Sequence, residues 1–172
     1  MFIIDYELLK NGNVKVGEAF ADFNCNSTNG TINTMNIKKN LVLFSYKEDF
    51  DYISELELIE LQKNKGTFDN LNTDIIFMSY GTMLAHKSWI ESIKLRTGIE
   101  ITYPIIEDRI CEIPRKLGMI SKEKNNQIIS KIIVIDTSRK IKFILESPNY
   151  IPRNIYEIIR ILKYWNTFLF ML

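Results

Sequence analysis

The chain has 172 residues, 46% apolar and 25% charged, which suits one globular domain with a full core and excludes intrinsic disorder. Lys and Arg number 22 against 21 Asp and Glu, a net charge of +1, so the basic excess of a nucleic-acid-binding face is absent. The 2 cysteines cannot supply a disulfide framework for this length. The segment Met1-Phe2-Ile3-Ile4-Asp5-Tyr6-Glu7 has no basic region and meets an acid at its fifth residue, unlike a secretory signal. No apolar run approaches the roughly 20 residues of a membrane span.

In chain order, Gly12-Asn13 and Asn29-Gly30 are turn signals that predict a small N-terminal hairpin. Leu41-Val42-Leu43-Phe44-Ser45-Tyr46 is a near-continuous apolar run of strand length and reads as a buried central strand. Residues 52–64 place Ile53, Leu56, Leu58, Ile59 and Leu61 at helical spacing, behind Asp49 and Asp51, which favour a helix start. Asp74-Ile75-Ile76-Phe77-Met78-Ser79-Tyr80 is a second strand. Residues 82–97 carry Met83, Leu84, Trp89, Ile93 and Leu95 on a second helix, and Gly98 is its stop. Ile110-Cys111-Glu112-Ile113-Pro114 reads as a short helix. Ile132-Ile133-Val134-Ile135-Asp136 and Lys140-Ile141-Lys142-Phe143-Ile144-Leu145 are strands joined by the tight hairpin Thr137-Ser138-Arg139. Pro152 marks a boundary and Asn154 a cap, after which residues 154–168 repeat Ile155, Ile158, Ile159, Leu162 and Trp165 along one stripe. The tail Phe168-Leu169-Phe170-Met171-Leu172 reads as a docking segment or the point where a longer chain was cut. This order predicts an α/β fold: a central mixed sheet with helices on both faces, in the thioredoxin-like arrangement.

Several segments resemble one family. Val16-Gly17-Glu18-Ala19-Phe20-Ala21-Asp22-Phe23 is similar to the peroxiredoxin opening "VGxxAPDF". The run from Leu41 through Ser54 to Glu57 resembles "VVLFFYPxDFTFVCPTE", and His86-Lys87-Ser88-Trp89 resembles the "HxxW" of the alkyl hydroperoxide reductase (typical 2-Cys) branch. Tyr103-Pro104-Ile105-Ile106-Glu107-Asp108 is similar to "YPLxxD", and Ser130 to Asp136 to "RxxFxID". The resemblance spans residues 14–168 of a single domain, 1–172, and implies a thioredoxin-like fold of peroxiredoxin type with an N-terminal β-hairpin.

The resemblance also implies what the chemistry requires. A cysteine thiolate attacks the peroxide, a Thr or Ser three residues earlier holds it, a Pro four residues before that shields the site, and a strand Arg lowers the thiol pKa. Here the cysteine position is Ser54, the Thr position Asp51, the Pro position Lys47 and the Arg position Ser130. The Pro and Thr after the cysteine are Glu55 and Leu56, while Glu57, Asp49 and Phe50 keep the pattern. A serine hydroxyl is a far weaker acid than a thiol, and nearby carboxylates would disfavour even a thiolate. No compensating cation is expected beside position 54, and the resolving cysteine of a C-terminal "VCPxxW" arm is absent.

The other candidates have plain readings. Cys111 is expected to be a small buried hydrophobe, or else a displaced redox thiol. Cys25, among Asn and Ser, is expected to be exposed and oxidisable. His86, the single histidine, is expected to be structural, since it has no partners at metal-ligand spacing. Asp49, Asp51, Glu55 and Glu57 are expected to complement a helix dipole rather than hold a cation. Neither metal nor cofactor is expected.

The leading expectation is a catalytically silent peroxiredoxin-like module, homodimeric or in a larger ring, with no nucleic-acid or membrane partner. The absence of a leader and a membrane span points to the cytoplasm or the spore coat, where such a domain can head a chitinase-like protein. The alternative is an active antioxidant thiol peroxidase, if Ser54 replaces a native cysteine or if Cys111 or Cys25 substitutes. A third class is a small-molecule or peptide-binding module reusing the old pocket.

Overall fold

The structure is a computed structural model and describes residues 12–121 and 127–169. The N-terminal segment 1–7 and the end of the apolar tail, on which two of the expectations fall, lie outside the described residues.

Turn chemistry starts the fold. β1 (Asn24–Ser27) and β2 (Gly30–Asn33) form the expected hairpin, with Gly30 at φ 102 in the turn. A single 3-10 turn, Thr34–Asn36, leads into β3 (Asn40–Ser45), which is buried at every position. A strand covered on both faces can be apolar throughout. Val42, Phe44 and the following Tyr46 face one core layer, and Leu41 and Leu43 face the other.

α1 (Tyr52–Lys63) is capped by Asp51, whose carboxylate accepts from the Ser54 N–H. α2 (Lys65–Asn70), not anticipated from the sequence, is one short turn that buries Phe68. β4 (Thr73–Met78) pairs in parallel with β3. It ends two residues before the predicted limit, which leaves Tyr80 exposed. α3 (Met83–Thr97) is capped by the Thr82 hydroxyl and stops at Gly98, whose φ of 73 few other residues adopt.

β5 is only Ile105–Ile106, and α4 is Glu112–Lys116. β6 (Ser130–Ile135) runs antiparallel to β3, and β7 (Ile141–Ser147) antiparallel to β6. Between them Arg139 takes φ 64, and Asp136 Oδ1 accepts from the Lys140 N–H and the Ser138 hydroxyl. α5 (Ile155–Leu169) starts with the Asn154 side chain accepting from the Tyr156 N–H.

The sheet order is β2-β1-β5-β4-β3-β6-β7. Helices lie on both faces, as predicted, but unequally. α1, α2, α3 and α5 pack on the layer of Phe44 and Phe77; α4 and the segment around Phe20 cover the layer of Leu43 and Ile133. The β3–α1 connection thus places Ser54 at the C-terminal end of the parallel strands. Within the described residues no helix is long and apolar enough to cross a membrane.

Candidate active site at the start of α1

Ser54 sits in the first turn of α1 and is buried. Its N–H and its hydroxyl both donate to Asp51 Oδ2, each at 2.9 Å. Lys47 Nζ stands 3.8 Å from Asp51 Oδ1 and closer, 2.8 Å, to Glu48. The Asp51 carboxylate therefore occupies the anion position at a helix N-terminus, where the dipole and an ammonium favour negative charge. A carboxylate is far too weak a base to deprotonate a serine hydroxyl, so the bond to Asp51 orients the Ser54 hydroxyl without making it a strong nucleophile.

Beneath this rim lies a buried ion pair that the sequence reading missed. Arg153, 5% exposed, donates from Nε to Glu57 Oε1 at 2.9 Å and from Nη2 to Oε2 at 2.6 Å. Its backbone N–H adds a third bond to Glu57 at 2.6 Å. Nη1 reaches the Lys131 carbonyl at 3.2 Å, and the guanidinium lies 3.7 Å from the Phe44 ring centre. The expectation that no cation remains near position 54 is thus corrected: Glu57 lies one helical turn from Ser54, and its cation is beside it. That cation is fully committed. Burial pushes the guanidinium pKa down, and Glu57 opposes the shift. The available signal was Glu57 itself, since a carboxylate on the core side of a helix requires a partner.

Ser130 does not reach the site as an arginine would. Its N–H and hydroxyl both donate to Asn149 Oδ1 at 2.9 Å, and Asn149 donates onward to the Ile128 carbonyl. The neighbouring Lys131 sends its ammonium to the Gly118 carbonyl and to Glu146. A cavity of about 330 Å³ opens next to Lys47 and Asp51, lined also by Ile129, Pro148, Asn149 and Tyr150.

The predicted acidic cluster is dispersed rather than gathered. Only Asp51 caps the helix. Asp49 Oδ2 lies 2.8 Å from His86 Nδ1, and Asp49 Oδ1 accepts from the Tyr46 hydroxyl at 2.7 Å. His86 is fully buried, and a Cβ on Gly81 would come within 2.5 Å of its ring, which explains the glycine there. Glu55 takes a two-pronged bond from Arg96, which lowers its pKa. Among the described residues no group of His, Cys, Asp and Glu could hold a metal ion.

The expected exposure of Cys25 is wrong. β1 alternates outward and inward, and Cys25 points inward between the exposed Asn24 and Asn26. Burial, with the charge of Asp108, pushes its thiol up to about 12. Cys111, just before α4 at φ 53, is also buried and is pushed up to about 11 for the same reasons. Neither thiol sits beside the Ser54 pocket, and neither is in the thiolate form that peroxide chemistry uses.

Comparison with known proteins fits this geometry. The family model of the AhpC/TSA family matches residues 16–144. A peroxiredoxin of Methanocaldococcus jannaschii is 35% identical over 152 residues, covering 86% of this chain and 70% of its own. A peroxiredoxin of Methanococcus maripaludis is 34% identical over 154 residues, covering 87% and 71%. Among solved structures, a cysteine-to-serine mutant of the peroxiredoxin 6 of Arenicola marina superposes with a TM-score of 0.81 at 28% identity, over 88% of this chain and 73% of that one. The reduced 2-Cys peroxiredoxin of Plasmodium vivax shares the fold, with a TM-score of 0.80 at 22% identity over 87% and 81%. A thioredoxin-like sheet that carries Ser54 on its first long helix, above a Glu57–Arg153 floor, thus belongs to the AhpC/TSA family, the peroxiredoxins.

Proposed function

We propose that this chain is a catalytically silent peroxiredoxin-like domain that acts as a structural or interaction module. The observation that carries the reading is the Ser54 hydroxyl bound to the Asp51 carboxylate where the family pattern has a thiolate. Ser130 held on Asn149 adds to it, because no arginine reaches the pocket from β6. The two thiols that remain are buried and protonated, which argues against either one substituting. The test is steady-state turnover of hydrogen peroxide with thioredoxin and its reductase. A silent domain gives no turnover above a Cys25→Ala/Cys111→Ala control; turnover abolished by Cys111→Ala restores the enzymatic reading.

The partner we propose first is a second copy of the chain, paired near the start of α1. Phe50, Tyr52, Tyr80 and Leu84 are large, apolar and exposed there. Their segments are tied together by the Ser79 hydroxyl on the Lys47 carbonyl and by the His86–Asp49 bond. A patch of this kind is a recognised sign of an interface. Sedimentation equilibrium is expected to show a dimer that Phe50→Glu splits; a monomer in both forms overturns the pairing. The setting we propose is the spore coat, beside a chitinase-like half, and the mass of the native gene product tests it.

A further inference from the structure

Among the described residues Tyr46 and Tyr103 are the buried tyrosines, and their hydroxyls meet opposite surroundings. Tyr46 is 1% exposed and donates to Asp49 Oδ1 at 2.7 Å. Tyr103 is 4% exposed, and its hydroxyl has no hydrogen-bond partner among the described residues. Tyr52, Tyr80, Tyr150, Tyr156 and Tyr164 stand in solvent.

Tyr46 belongs to a polar cluster that the chemistry at Ser54 does not use. It follows β3 directly, and its N–H donates to the Met78 carbonyl at 3.0 Å, which fixes its backbone against β4. The Asp49 carboxylate is held from its other side by His86 Nδ1, 2.8 Å from Oδ2, and the His86 ring is fully buried. Asp49 is thereby set with one oxygen on the phenol, and its own side chain is only 8% exposed. Burial, followed by the charge of Asp49, pushes the Tyr46 pKa up, so the phenol keeps its proton in the resting protein.

The ring of Tyr46 also lies against a buried indole. Trp89 is fully buried, its ring centre is 5.2 Å from that of Tyr46, and the two planes are tilted by 32°. That separation is within aromatic stacking range. Trp89 Nε1 makes no hydrogen bond, the nearby Glu55 carboxylate being held by Arg96 at 2.8 and 2.6 Å. After thiolates, indoles and phenols are the side chains that give up a single electron most readily. Loss of that electron makes either ring strongly acidic, and a low-dielectric interior penalises a cation that cannot shed its proton. Trp89 and Tyr103 have no hydrogen-bonded acceptor for theirs. Tyr46 has a carboxylate in place, and the transfer neutralises that carboxylate's charge.

We propose that Tyr46 is a one-electron redox site, with Trp89 as its relay and Asp49 as its proton acceptor. A one-electron oxidant takes an electron from Trp89. The Trp89 radical cation then takes an electron from Tyr46 while the phenolic proton moves to Asp49 Oδ1. The products are neutral Trp89, a neutral Tyr46 phenoxyl radical and a protonated Asp49, so electron, proton and charge balance. A one-electron reductant of the ascorbate class returns the electron, and Asp49 returns the proton. Burial keeps the Tyr46 radical from coupling to a ring on another molecule, as a radical on the exposed Tyr80 can. Hydrogen peroxide oxidises thiols by two electrons at a time and does not feed this site, so the inference does not require Ser54 to be inert.

The test uses the full chain carrying Trp165→Phe, which leaves Trp89 as its single indole. A laser flash ejects an electron from Trp89, and a cobalt(III) ammine in solution takes it up. Transient absorption is expected to show the tryptophanyl band decaying as a tyrosyl band grows, more slowly in deuterium oxide. Tyr46→Phe, which keeps the ring stack, should abolish the tyrosyl band and prolong the tryptophanyl one several-fold, while Tyr103→Phe should change neither. Asp49→Asn should slow the transfer several-fold. Near-ultraviolet circular dichroism checks that each variant keeps its core, and if Asp49→Asn does not, the two tyrosine variants and the isotope effect decide. A tyrosyl band that survives Tyr46→Phe, one that is lost with Tyr103→Phe, a rate indifferent to deuterium or to a folded Asp49→Asn, or no transfer from Trp89 at all would each overturn the assignment. Peroxide turnover is not read here, so failure leaves the silent-domain reading standing.

Discussion

The floor and the rim of the Ser54 site are held by opposite kinds of ion pair. On the floor, Glu57 and Arg153 have lost nearly all contact with water, and three bonds lock one to the other. Removing either partner strands a buried charge, so the pair is kept or lost as a unit. On the rim, Lys47, Glu48 and Asp51 keep part of their surface in solvent, and water can replace a missing partner. Of the departures from the family pattern, Lys47, Asp51 and Glu55 fall on the partly exposed rim and Ser54 and Ser130 are buried, while Glu57 is retained on the floor. A change on the rim therefore costs the fold little, whereas a change on the floor costs it much.

The largest effect that tests this contrast is chemical. Ser54→Cys alone should remain a poor peroxidase, because the Asp51 carboxylate raises the thiol pKa. Adding Asp51→Thr and Ser130→Arg removes that charge and supplies a cation, and should raise peroxide consumption by about 10²-fold or more in stopped-flow mixing. If the single variant is already fast, the rim does not matter.

Stability gives the next largest effect. Arg153→Met should lose about 3–5 kcal/mol in denaturant unfolding, and adding Glu57→Leu should recover most of it. Lys47→Met, on the rim, should cost less than about 1 kcal/mol. Equal losses at the two positions would erase the distinction between floor and rim.

The buried thiols extend the comparison to alkaline pH. Their folded values, about 12 for Cys25 and about 11 for Cys111, lie above the ordinary 9.0. The preference of the fold for neutral thiols is fully present below pH 9.0 and is lost as pH rises through the folded values. Stability should therefore fall on the alkaline side, and the Cys25→Ala/Cys111→Ala variant should show a shallower fall. At the cap, Asp51→Ala should cost about 1 kcal/mol, read as a lower melting temperature, without changing peroxide consumption.

What the sequence revealed followed the range of the forces involved. Leu41 to Tyr46 and Ile132 to Ile135 announce buried strands because burial on both faces is written as a continuous apolar run. Asp51, Gly98 and Asn154 announce helix ends because capping acts within four residues. Arg153 gave no such local sign, since its partner Glu57 lies 96 residues away. Asp49 looked like part of a helix-start cluster because its partner His86 is 37 residues away. Cys25 looked exposed because its neighbours Asn24 and Asn26 are polar, although that alternation is what a half-buried edge hairpin produces. β5 was invisible as a strand because it is only two residues long, directly after Pro104, which has no N–H to give to a ladder.

The most direct measurement mixes the unmodified native chain with one equivalent of hydrogen peroxide and follows both peroxide loss and protein mass. A silent domain leaves the peroxide unconsumed on the timescale of a control lacking both cysteines, and its mass unchanged. Rapid stoichiometric consumption, with one oxygen added to the protein or a disulfide formed, would contradict it.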